Sequence, residues 1–204
     1  MKVLAIVSTA RKDGLLSEIT KNLLIGARDA ENSTELLNLY DYRIGYCKGC
    51  WTCSKTGKCV IKDDFQQIFS KLEKSDVIIL ASPVYFSNVS GVMKNFFDRQ
   101  IGISFKEMKE ISFLGFKFTW RYGPSNSMSG KKIIYLGACT VPWPFNLILN
   151  ETPLFFKAMD AYAKDGLRAK IIAKLLFTDS RFFNLKVKKR RIIKKAYKIG
   201  RNIK

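Results

Sequence analysis

Apolar residues fall in two rhythms along the chain. Lys2–Ser8 (KVLAIVS), Asp76–Ser82 (DVIILAS) and Lys132–Gly137 (KIIYLG) are near-continuous aliphatic and β-branched runs, the pattern of strands covered on both faces. Thr34–Tyr40 (TELLNLY) is a shorter strand candidate and Leu167–Ala173 a fifth. Between these runs the spacing turns helical. It does so at Leu15, Leu16, Ile19, Leu23 and Leu24, at Phe65, Ile68, Phe69 and Leu72 within Asp63–Leu72, over Gly91–Ile101, and in a basic terminal segment, Lys186–Ile203. Strands that alternate with helices imply right-handed crossovers, hence an α/β fold of three layers around a doubly wound parallel five-stranded sheet. Such sheets bind ligands in the crevice at the carboxyl ends of their strands.

Two stretches fit this scheme less simply. Ile133–Asn150 is uncharged over nearly the length of a membrane span, but Gly137, Pro142 and Pro144 interrupt it, so it reads as strand, loop and helix start. Ile111–Tyr122 (ISFLGFKFTWRY) carries five aromatics in twelve residues. An extra strand or core flap accounts for it, and so does a subunit interface or a surface that meets lipid.

Composition narrows the chemistry. The 204 residues include no histidine, which excludes Ser-His-Asp and Cys-His arrangements, imidazole zinc ligands and imidazole proton shuttles. Any reaction must then rely on other side chains or a bound cofactor. The formal charge of +19 is unevenly placed: residues 164–204 hold fifteen of the 36 Lys and Arg but two of the 17 acids. The chain therefore divides into a domain at 1–180 and a basic C-terminal helix or tail at 181–204. A basic surface of this kind suits phosphate, nucleic acid or an anionic membrane, although a solvated face is the commoner explanation. No secretory h-region or transmembrane helix is predicted, so the five cysteines are expected to stay reduced in the cytoplasm.

Three loops carry chemistry, each beside a predicted strand end. Ser8 to Ser17 combines hydroxyls, the start of a helix and Arg11, the groups that hold a phosphate monoester; a plain polar turn is the alternative. Ser82 to Gly91 sets Tyr85 and Phe86 among backbone amides, suited to a flat heteroaromatic ring or else simply packed under the next helix. The third loop is the sharpest. Cys47, Cys50 and Cys53 follow C-x2-C-x2-C spacing and Cys59 comes five residues later, the ligand set of a 4Fe–4S centre; structural zinc usually takes two separated pairs. A loop left empty, or oxidised in air, is the other reading.

Together these features resemble the NADPH-dependent FMN reductase family of flavodoxin-like proteins, and most closely its iron–sulfur flavoprotein branch. The resemblance runs through Thr9-Ala10-Arg11-Lys12-Asp13-Gly14, the cysteine run 47–59, Asp63-Asp64, Asp76 to Leu80, Ser82 to Phe86 and Lys94 to Arg99. It implies a flavodoxin-like sheet with FMN as cofactor. Thr9, Arg11 and Ser17 would hold the phosphate, with Lys12 and Gly14 in the same loop. Pro83, Val84, Tyr85, Phe86 and Asn88 would cradle the ring, Gly137 and Cys139 would meet its other edge, and Cys47, Cys50, Cys53 and Cys59 would hold the metal cluster. The implied activity moves electrons between NAD(P)H or a ferredoxin and a quinone, flavin or other acceptor, in a homodimer or homotetramer. Thr9-Ala10 replaces the usual Ser-Pro, and Leu15-Leu16 replaces Asn-Thr or Asn-Ser, so weaker FMN retention is expected. The alternative from another class is a non-enzymatic protein that binds nucleic acid or an anionic membrane through its basic helix.

Overall fold

The computed structural model describes residues 1–104, 109–120, 129–178 and 185–204. In chain order it contains β1 (Lys2–Val7), α1 (Leu15–Asp29), β2 (Ser33–Asn38), α2 (Thr52–Thr56), α3 (Phe65–Glu73), β3 (Val77–Pro83), α4 (Gly91–Asp98), α5 (Ile101–Ser104), β4 (Lys109–Phe113), β5 (Phe116–Trp120), β6 (Lys132–Ala138), α6 (Phe145–Ile148), α7 (Glu151–Ala161), β7 (Lys170–Phe177) and α8 (Leu185–Arg201). Five strands pair in parallel in the order β2-β1-β3-β6-β7, the doubly wound arrangement expected, with its switch point between β1 and β3.

The sheet divides the core in two. One face packs Leu4, Ile6, Ile78, Leu80, Ile133 and Tyr135 against α3, α4 and α7, while the other packs Val3, Ala5, Val7, Ile79 and Ile134 against α1 and α8. This is why β1, β3 and β6 read as unbroken apolar runs: alternate residues enter different cores, and both are apolar.

Some boundaries move. The last strand starts at Lys170 rather than Leu167, because Leu167 and Ala169 are buried in the turn that follows a π-helical segment, Tyr162–Gly166. The helix expected over Gly91–Ile101 is broken after Asp98 and resumes as α5. The aromatic stretch forms an antiparallel hairpin, β4 with β5, whose two-residue turn places Leu114 and Gly115 at positive φ, as a type I′ connection requires. Phe113 and Leu114 at its tip are exposed, so this tip is not part of the core; Tyr122 lies outside the described residues.

Residues 181–184, where the basic segment begins, also lie outside the described residues. The helix that follows packs along α1. A Cβ on Gly26 would collide with the Tyr197 carbonyl oxygen, and one on Gly200 with that of Leu23, so the two helices meet backbone to backbone. Lys189 pairs with Glu18 at 2.7 Å and the Tyr197 hydroxyl donates to Asp29 at 2.7 Å, which fixes both ends of the contact. No helix among the described residues is long and apolar enough to cross a membrane.

Candidate functional site

The loops after β1 and β3 meet at the carboxyl edge. The buried Ser90 hydroxyl donates to the Ser8 hydroxyl at 2.8 Å, while the Ser90 amide donates to the Ser82 hydroxyl at 2.9 Å. Ser90 also caps α4 by accepting from the Met93 amide. One small residue, through its hydroxyl and its amide, thus holds both strand ends and the start of a helix in register.

On the β1 side, Gly14 is the N-cap of α1 and brings no side-chain oxygen, so the first amides of a fifteen-residue helix have no side-chain cap. Such an end carries partial positive charge and free donors, the requirements of a phosphate site. Thr9 Oγ1 accepts from the Arg11 amide at 3.2 Å, and the Asn38 side chain donates to the Thr9 carbonyl at 2.8 Å. Arg11 is exposed in front of the helix end. Ser17 is buried and donates to the Arg11 carbonyl at 3.1 Å, so its hydroxyl shapes the loop, and Lys12 is drawn aside by Asp41 at 2.5 Å.

On the β3 side, Tyr85 and Asn88 exchange backbone hydrogen bonds of 2.9 and 3.0 Å, and the two residues between them are left-handed, Phe86 at φ 47° and Ser87 at φ 59°. Non-glycine residues held there cost about 1–3 kcal/mol each and persist where surrounding contacts impose them. Glu151, at the start of α7, imposes it by accepting from the Ser87 amide at 3.0 Å. The turn raises Phe86 fully into solvent and leaves Tyr85 mostly exposed, while Val84 beneath is buried and donates its amide to Ala138 at 2.9 Å. Pro83 ends β3 and Asn88 accepts from the Val89 amide at 2.8 Å. Gly137 and Cys139 sit differently. The α-carbon of Gly137 abuts Phe155 and Leu176, and Cys139 is buried in the core with its amide on the Phe177 carbonyl.

The cysteine loop follows β2 and carries its thiols in graded exposure: Cys47 and Cys50 are exposed, Cys53 and Cys59 half-buried. Positive φ at Gly49, Trp51 and Gly57 lets it coil around the short helix α2. Cys53 lies so close to α5 that a Cβ on Gly102 would overlap its sulfur. Burial, and then the charges of Cys59, Cys50 and Cys47, push the Cys53 thiol up, whereas hydrogen bonds from Thr52 pull the Cys50 thiol down. Cys59, Cys50 and Cys47 all lie near enough for their charges to act on Cys53, yet among the described residues no three Cys, Asp or Glu side chains converge on a point that could hold a single metal ion.

A sequence profile described as NADPH-dependent FMN reductase matches residues 1–112. The chain belongs to that family. An iron–sulfur flavoprotein of Archaeoglobus fulgidus is 38% identical over 101 residues, 50% of this chain and 46% of its own. Another, from Methanocaldococcus jannaschii, is 37% identical over 99 residues, 48% of this chain and 51% of its own. The matches thus span about half the length of these curated relatives. The solved NAD(P)H:quinone oxidoreductase from Methanothermobacter marburgensis covers 100% of this chain and 99% of its own with a TM-score of 0.73 at 14% identity, a likeness of fold.

One residue of this family member was not singled out by sequence reasoning as a site residue. Arg99, at the end of α4, is buried with its guanidinium forked on Asp63 at 2.5 and 3.1 Å, and Asp63 also accepts from the amides of Gly45 and Phe65. The available signal was phase: position 99 continues the apolar face of Met93 and Phe96, where a charge needs a buried partner. Burial opposes the Asp63 carboxylate, but Arg99 and the two amides outweigh it and hold the carboxyl below its ordinary value. A folded-state value below the unfolded one stabilises the protein above the unfolded value, near pH 4, and that contribution is lost as pH falls through the folded one. Acid denaturation followed by circular dichroism is therefore expected to show a stability loss below about pH 4 that is shallower in Asp63→Asn; equal slopes would contradict it.

Proposed function

We propose that the chain is an FMN-dependent oxidoreductase that moves electrons between NAD(P)H or a ferredoxin and an acceptor such as a quinone or flavin, with a 4Fe–4S cluster on Cys47, Cys50, Cys53 and Cys59. The observation that carries this reading is the Ser8–Ser90 junction. It sets an uncapped helix end beside an exposed aromatic turn at one sheet edge, as a phosphate joined to a flat ring requires.

The residues fit FMN. The amides at the start of α1, Thr9 and Arg11 would take the phosphate, while Ser17 keeps the loop in shape. Val84, Tyr85 and Phe86 would line the ring, with backbone groups of the tight turn at its edge. The cofactor, when bound, supplies hydride acceptance and one-electron release, so a chain without histidine needs no protein acid or base. The cysteine donor set fits a cluster as well. Four thiolates within thirteen residues are the ligand chemistry a 4Fe–4S centre takes, and the burial and neighbouring thiolates that push the Cys53 thiol up are what a bound cationic core would offset.

An oligomer belongs to the same reading. Exposed Trp143, Phe145 and Ile148 lead directly into Glu151, which holds the aromatic turn, and a cluster of this kind marks a surface that is covered in use. The reading places the protein in the cytoplasm, where close cysteines stay reduced and available to a cluster.

The test is the visible spectrum of anaerobically purified protein with its iron and sulfide content. Two flavin bands with broad brown absorption and about four irons per chain support the whole reading. Flavin bands without iron, after reconstitution, remove the cluster, and a colourless protein that cannot take up FMN overturns the proposal. Arg11→Ala is expected to weaken FMN binding about tenfold or more, the scale of a charge-assisted bond to phosphate; unchanged affinity in fluorescence titration would remove Arg11 from the site.

A further inference from the structure

We infer that Arg99 is the positioning residue of the cysteine loop, closing it at both ends and orienting the Cys59 sulfur as the fourth cluster ligand; the inference rests on the cluster reading above. The guanidinium is 1% exposed and spends its hydrogens on both flanks of the loop. Nη1 donates to the Gly45 carbonyl at 2.8 Å and to Asp63 Oδ2 at 2.5 Å, and Nη2 donates to Asp63 Oδ1 at 3.1 Å and to Cys59 Sγ at 3.3 Å. Gly45 lies two residues before Cys47 and Asp63 four after Cys59, so one planar group spans the entry and exit of the segment that bears all four thiols. The plane is held over the Phe65 ring, 4.6 Å from its centroid.

A purely structural ion pair does not account for this arrangement. Asp63 alone neutralises the charge, and a buried pair is seldom a net gain in stability over apolar packing. The fork nevertheless sends an Nη2 hydrogen to a thiol, and Nε finds no partner. Both features follow if the guanidinium is aimed by its outer nitrogens at the loop. A lysine carries its three donors on one nitrogen and lacks the rigid two-nitrogen fork that serves Gly45, Asp63 and Cys59 here. Hydrogen bonds to ligand sulfur are among the levers that set cluster potential, and partners of first ligands orient them. A donor and a positive charge at Cys59 favour the more negative, reduced cluster.

The experiment compares the parent with Arg99→Lys and with the double variant Asp63→Asn/Arg99→Gln, which leaves no stranded buried charge. Full-length proteins are reconstituted anaerobically with iron, sulfide and FMN. Both variants are expected to bind FMN like the parent, to lose iron to a chelator at least tenfold faster, and to show a lower cluster midpoint in EPR-monitored titration. A tenfold change in the one-electron equilibrium corresponds to about 59 mV. Parent-like iron retention and midpoint in Arg99→Lys would overturn the inference and leave the cluster reading standing. A parent that takes up no iron would overturn that reading and this inference with it. Should the variants fail to fold, the reduced parent grown with isotopically labelled arginine gives the decisive measurement: hyperfine coupling between a guanidino nitrogen and the cluster is expected, and its absence overturns the assignment.

Discussion

Gly200→Leu is expected to destabilise the protein by about 3 kcal/mol, at the upper end of ordinary overpacking costs, and to lower the melting temperature by about 6–12 °C for a chain of this size. The atom that a side chain at Gly200 would strike is the Leu23 carbonyl oxygen, with the Ala27 amide nitrogen next to it. Both are backbone atoms of α1, so neither can swing aside as a side-chain end would. The helices must part instead, and parting them uncovers Leu23, Ala27 and Ala196, which are fully buried at the contact. Gly91→Ala is the control. No atom lies within 4 Å of the position a Cβ would take there, and the residue opens α4 directly after its Ser90 cap. That variant is expected to be neutral or slightly stabilising. Melting curves that show the two variants within two or so degrees of each other, about the shift of 1 kcal/mol, would mean that the seam yields and the helices are not locked.

Cys50→Ala is expected to abolish iron binding while FMN stoichiometry stays that of the parent. Removing one of four thiolates leaves a three-sulfur set for a cluster that needs four. Cys50 is exposed, so its loss costs the fold little, and the loops proposed to hold FMN are built from other strands. Cys139→Ala should behave in the opposite way, with iron unchanged and stability reduced, because Cys139 is packed in the core. Metal analysis and flavin absorbance on the same samples decide it. Iron retained in Cys50→Ala, or flavin lost together with iron, would separate the cysteine loop from the role proposed for it.

The sheet was legible because doubly covered strands leave an unbroken apolar signature at β1, β3 and β6. β7 was blurred, since its first half is partly exposed and the buried Leu167 and Ala169 just before it imitate strand residues. The three loops were legible from residue type, because phosphate, ring and cluster chemistry each favour particular side chains near strand ends. Their mutual placement was not. Ser8 and Ser90 are 82 positions apart, Ser87 and Glu151 are 64 apart, and no local pattern marks such pairs. Arg99 was not read as a site residue for a related reason: its phase on α4 asks for a buried partner, but nothing local names Gly45, Asp63 and Cys59 as the groups around it. The exposed turn of Phe86 and Ser87 breaks two local preferences at once, backbone region and burial, and such conflicts concentrate at functional sites.

The glycine seam also constrains the order in which the protein can be made. Tyr197 and Asp29, which close one end of it, are 168 positions apart, so α1 leaves the ribosome long before its covering helix exists. Throughout that interval the outer side of α1 lacks its partner, and long-range closure of this kind slows folding. A chain halted before residue 185 has α1 made and that side bare, the stage at which chaperone capture or aggregation has its best opportunity.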